Sequence, residues 1–241
     1  MDKVKSLGLF PSGVGGYEEV YRSLRNRLGS YLLLPGEIID FLGTCRLSYT
    51  TEQVLALARD VKLLERAVKN RPEGEIMIVV PGIPFLSESV KVYEYFEPIF
   101  NAGSEQWPEG YREQLRKFLS GRLNDRVGFP WLIFRVPYET YNLSTREQRL
   151  CRREYESVPN VAELLWVLGV YRLLRGCYPV KPGTSLRVET LTPYPTPLFE
   201  KEWKPGTALI DCHDGIRITD HAGKDGPRTG TPFIERVIRT H

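Results

Sequence analysis

Residues 75–82 read EIMIVVPG, with five consecutive apolar side chains, Ile76 to Val80, held between an acidic residue and a Pro-Gly turn. A strand with one face in water alternates apolar and polar side chains, whereas a short unbroken apolar run marks a strand covered on both faces. Residues 131–136, WLIFRV, repeat the pattern between Pro130 and Pro137. Two such strands need helices over them, and the flanking sequence supplies helices.

Upstream, residues 51–69 place Val54, Leu57, Ala58, Val61, Leu64 and Val68 on one helical stripe, and Thr50 with Gln53 has capping-box spacing. Pro72 and Gly74 end the element. Residues 17–28, YEEVYRSLRNRL, form a shorter amphipathic helix stopped by Gly29. The preceding PSGVGG resembles a phosphate-cradling loop only loosely. Tyr17 stands where a phosphate loop needs Lys, and Glu18 where a dinucleotide fingerprint needs Gly or Ala, so a plain turn is expected.

Between the two buried strands, one helix is expected from Ser87 to about Glu97, and another has Tyr111, Leu115, Phe118, Leu119 and Leu123 on its inner face. After the second strand come an arginine-rich helix near 144–156 and a very apolar one at 160–175. Asn160 and Glu163 start the latter and Gly176 ends it, and its apolar circumference makes it central. From Ser185 the period changes: LRVETL, TALIDCH, IRITDH and FIERVI read as short strands. The fold class is therefore α/β, a mixed sheet with flanking helices extended by a C-terminal antiparallel β unit, with α+β as the alternative. The expected division is a helix-rich core over residues 1–180 and a β subdomain over 181–241.

Composition sets limits on function. The chain has 241 residues, 33 Lys plus Arg against 30 Asp plus Glu, and a net charge of +3, without the concentrated basic character of a dedicated nucleic-acid binder. Cys45, Cys151, Cys177 and Cys212 form no C-x-x-C pair, which excludes a zinc ribbon and points to a reducing compartment. MDKVKSLGLF lacks the apolar run of a signal peptide, and LLWVLGVYRLL is interrupted by Arg172, so no membrane segment and a cytoplasmic location are expected.

Chemistry concentrates in residues 207–221, TALIDCHDGIRITDH. Asp214-Gly215 is a strong two-residue hairpin signal, which would set His213 opposite Ile216, Asp211 opposite Ile218 and Leu209 opposite Asp220. Alternation then puts Asp211, His213 and Asp220 on one face, and Cys212 and His221 on the other. One imidazole and two carboxylates suit a divalent ion, Mn²⁺, Zn²⁺ or Mg²⁺, and without metal His213 with Asp211 could act as base and orienting group. A solvated polar hairpin is the plainer reading of the same residues.

Three weaker constellations remain. Arg146, Arg149 and Arg153 share a face of the arginine-rich helix and could meet nucleic-acid phosphates, although Glu147, Glu154 and Glu156 are interleaved. Residues 222–232, AGKDGPRTGTP, could form a loop over a site, with Lys224 and Arg228 reaching a phosphate. In parallel α/β sheets ligands gather beyond the strand carboxyl ends, here PGIPFLSES and PYETYN with Ser87, Glu88, Tyr138 and Glu139. The reading carried forward is a metal-assisted hydrolase or phosphoester-processing enzyme centred on the hairpin, with a non-catalytic nucleic-acid- or protein-binding module as the alternative.

Overall fold

The computed structural model describes residues 17–38, 49–83, 88–100, 111–120, 125–141, 143–188, 208–212, 216–220 and 229–237. The helices are α1 (Tyr17–Leu28), α2 (Thr51–Lys69), α3 (Ser89–Phe100), α4 (Tyr111–Ser120), α5 (Thr145–Leu150) and α6 (Val161–Arg175). The strands are β1 (Met77–Pro81), β2 (Trp131–Arg135), β3 (Thr184–Val188), β4 (Ala208–Cys212), β5 (Ile216–Asp220), β6 (Thr229–Gly230) and β7 (Phe233–Val237). They form one sheet of order β1-β2-β7 and a second of order β5-β4-β3-β6. The class is mixed α/β, as the strand and helix patterns predict. Among the described residues no helix is long and apolar enough to cross a membrane.

The chain divides into two compact units. One comprises residues 1–84, 128–135 and 235–241, the other 85–127 and 136–234. The units are interleaved in sequence, because β2 returns to pair with β1 while β3–β6 belong with α3–α6.

In the first unit every residue of β1 and β2 is buried, as their apolar runs Met77–Val80 and Trp131–Phe134 require, with Arg135 buried against Glu75. They pair antiparallel, Met77 opposite Arg135 through Pro81 opposite Trp131. The two strand carboxyl ends therefore point opposite ways, so PGIPFLSES and PYETYN do not share one sheet edge as they would in a parallel arrangement. Ser87 lies outside the described residues. α2 carries the expected capping box, Thr50 N–H donating to Gln53 Oε1 at 2.9 Å and Gln53 N–H to Thr50 Oγ1 at 3.3 Å. Its stripe of Leu57, Val61, Leu64 and Val68 is fully buried, each side chain contributing roughly 1.5–3 kcal/mol by leaving water. Trp131 ties sheet to helix by donating Nε1–H to the Leu57 carbonyl at 3.0 Å. At the other end of α2, the Arg27 guanidinium donates to the carbonyls of Lys69, Arg71 and Pro72 and so satisfies acceptors that a helix end leaves open.

In the second unit α6 is buried around its whole circumference from Val161 to Tyr171, which confirms its central place. Asn160 and Glu163 close the capping box, and Gly176 ends the helix at φ +74°, a conformation other residues rarely adopt. α3 approaches α6 closely: the Phe96 and Trp166 rings lie 5.8 Å apart. A Cβ at Gly169 would come within 2.5 and 2.6 Å of two Phe96 ring carbons. Gly169→Ala is expected to cost about 1–3 kcal/mol through this overlap, although alanine is the better helix former by about 1 kcal/mol. Urea unfolding measures it, and a stabilised variant would show that the Phe96 ring moves aside freely.

A buried polar network fixes α5 to β3 and β6. Gln148 donates from Nε2 to the Leu143 and Thr229 carbonyls, both at 2.9 Å. Its Oε1 accepts from Arg187 Nε at 3.1 Å and Thr231 Oγ1 at 2.6 Å. A buried amide with its donors and acceptor all engaged costs little and specifies one arrangement. Thr229 and Gly230, expected within a loop, are instead a short strand parallel to β3. Lys224 and Arg228 lie outside the described residues.

Candidate functional site on the C-terminal sheet

β4 and β5 form the expected antiparallel hairpin, but in a different register. Ala208 pairs with Asp220, Leu209 with Thr219, Ile210 with Ile218, Asp211 with Arg217, and Cys212 with Ile216. The connection therefore spans three residues, 213–215, instead of the two-residue Asp214-Gly215 turn. A shift of one position reverses every face assignment of the shifted strand. Asp211 and Asp220 stand at positions on opposite faces of the β4–β5 ladder. His213, His221 and His241 lie outside the described residues, as do the PSGVGG turn and Cys45.

The physical reason is the sorting of apolar from polar positions. In this register Ala208, Ile210, Cys212, Ile216 and Ile218 share one face with Asp220, whereas the two-residue turn would set Ile216 and Ile218 with both Asp211 and Asp220. β3 extends the same separation. Thr184, Leu186 and Val188, all buried, pair with Cys212, Ile210 and Ala208, while Ser185 and Arg187 pair with Asp211 and Leu209.

The other face is chemically distinctive. Ser185, Asp211 and Arg217 stand in one row across β3, β4 and β5. Directly paired positions in a ladder hold their Cβ atoms about 4.5–5.5 Å apart, so the row makes a Ser, an Asp and an Arg position neighbours across three strands. A carboxylate can accept a proton or ligate a hard cation, and a planar guanidinium matches phosphate oxygens. Among the described residues no three His, Cys, Asp or Glu side chains gather as a metal-binding group.

Other charged positions serve the fold. A cleft of about 590 Å³ lies between the end of α1 and residues 72–77, and Arg27, Tyr31, Glu73, Glu75 and Met77 are among its walls. Its Arg27 is bound to backbone carbonyls, and its Glu75 is held by Arg71 at 3.3 Å. The arginine-rich helix is shorter than expected. α5 ends at Leu150, Arg153 lies beyond it, and Arg153 Nη1 sits 3.8 Å from Glu156 Oε1. The Arg146, Arg149, Arg153 face is thus not formed as one helical surface. Cys151 and Cys177, half-buried and exposed, are in no disulfide among the described residues.

Fold and site together define a mixed α/β protein with a carboxylate–guanidinium row on its C-terminal sheet. No protein-family model, curated protein or solved structure matches the chain.

Proposed function

We propose that the protein is a phosphoester-processing hydrolase assisted by a divalent metal ion, acting on the polar face of the β3–β4–β5 sheet. The observation supporting this reading is the row of Ser185, Asp211 and Arg217 set by the strand pairing. Arg217 would hold the phosphoryl oxygens and offset their charge, and Ser185 would donate a hydrogen bond at the row's other end. Asp211 and His213 would hold Mn²⁺, Zn²⁺ or Mg²⁺, which would supply a water acidified toward neutral pH. Asp220, on the opposite face, has no part in it.

The test is hydrolysis of p-nitrophenyl phosphate and bis(p-nitrophenyl) phosphate with each ion in turn. Asp211→Asn should abolish turnover and Arg217→Ala should lower it by about 100-fold or more, the cost typical of removing one electrostatic stabiliser. Asp220→Ala should leave it unchanged. Absence of turnover with every ion, or full activity in Arg217→Ala with the fold intact by circular dichroism, rejects the proposal.

A further inference from the structure

We infer that the segment from α5 to Tyr155 is a docking surface for single-stranded nucleic acid, formed by Arg146, Arg149 and Arg152 with Tyr155 as a stacking platform. The cations follow from the turn geometry. α5 tightens at its end, where Cys151 N–H reaches the Gln148 carbonyl at 3.1 Å and Arg152 N–H the Arg149 carbonyl at 3.3 Å. In such i to i+3 turns, side chains three apart line up, so Arg152 joins Arg146 and Arg149 in a file spaced by three residues. Arg153, the residue that uninterrupted helical periodicity would select, is turned instead to Glu156.

The charge in this file is uncompensated. Arg146, Arg149 and Arg152 are exposed, and among the described residues none has an ion-pair or side-chain hydrogen-bond partner. The nearby acids are largely committed. Glu147, itself exposed, accepts from Ser144 N–H at 2.8 Å in the α5 capping box, Glu156 accepts from Arg153 N–H at 3.1 Å, and Glu154 is the segment's other exposed acid. Interspersed apolar surface completes the pattern: Tyr155 is 48% and Leu150 77% exposed. Guanidiniums that track a phosphate backbone beside an exposed aromatic ring are the means by which single strands are held without sequence preference. A duplex keeps its bases stacked on one another and would use the arginines alone.

The two readings are tested separately, since binding can be read without turnover. The probe is a fluorescein-labelled DNA oligonucleotide of mixed sequence, alone or annealed to its complement, followed by anisotropy across a salt series. The single strand should bind more tightly than the duplex. Tyr155→Ala should weaken single-strand binding by roughly 5- to 100-fold with little effect on the duplex. The triple change of Arg146, Arg149 and Arg152 to Ala should flatten the log–log salt dependence by about two units, whereas Arg153→Ala should not. Thermal unfolding of each variant establishes that it is folded. Equal affinity for both forms with Tyr155→Ala silent overturns the inference, as does absence of oligonucleotide binding at low salt. Binding of poly-L-glutamate in place of DNA also overturns it, in favour of an acidic protein partner.

Discussion

Arg71→Met is expected to lower the unfolding free energy by about 3–5 kcal/mol, the range typical of stripping one partner from a buried ion cluster. The Arg71 side chain has no exposure, and its Nη1 and Nη2 reach Glu75 Oε2 at 3.3 Å and Glu235 Oε2 at 2.7 Å. Arg135 Nε stands 3.9 Å from the other oxygen of Glu75, so two guanidiniums and two carboxylates share a site almost without water. Methionine fills much of the volume but removes this cation from both Glu235 and Glu75. The cost is that of desolvated charge and exceeds anything an exposed ion pair contributes, such as Lys69 with Glu65 at 2.9 Å. Urea titration measures it. Adding Glu235→Gln should recover part of the loss, because it removes the stranded charge along with its partner. A loss below about 1 kcal/mol in the single variant would mean that water reaches the carboxylates and the cluster is not sealed.

Legibility in the sequence followed the range of the interaction. The capping residues Thr50 with Gln53 and Asn160 with Glu163 act within one turn, and the structure has each box where the spacing places it. The runs around Val79 and Ile133 report burial on both faces, and both strands are buried. Their pairing direction was not in the runs themselves, since the intervening helices are long enough to permit either sense. β6 has two residues and no pattern of its own; it exists because Gln148 takes the Thr229 carbonyl and β3 offers an edge.

The candidate site shows the same limit from the other side. Asp214-Gly215 is a local signal for a two-residue turn, and it yields to a sheet-wide requirement that Ile210, Ile216 and Ile218 lie together. That requirement was readable, because the other pairing left two isoleucines among carboxylates. The row it creates, Asp211 beside Arg217, needs a cross-strand neighbour that linear spacing on β4 alone cannot supply. Arg152 replaces Arg153 for a related reason: helical periodicity holds only while the helix continues, and α5 stops at Leu150.

Gly82→Ala is expected to cost at least about 3 kcal/mol, at or beyond the upper end of ordinary overpacking, because every atom in its way is backbone. A Cβ there would overlap the Gly128 carbonyl oxygen, lie 2.7 Å from the carbonyl carbon and stand 3.1 Å from Phe129 Cα. No rotamer relieves such an overlap. Gly82 is held from both sides, its N–H donating to the Pro130 carbonyl at 2.9 Å and its carbonyl accepting from Tyr49 Oη at 2.9 Å. Burial pushes the Tyr49 hydroxyl well above the ordinary phenol range, so it remains a donor at any pH the fold tolerates. Relief would need the chain leaving β1 to part from the chain approaching β2, with loss of these bonds. Gly74→Ala supplies the contrast: φ is +81° with open space around the added carbon, so its cost is conformational only, about 1–2 kcal/mol. Guanidinium titrations of the two variants side by side separate packing from backbone preference. A Gly82→Ala protein as stable as Gly74→Ala would mean that the two backbones separate freely where β1 ends.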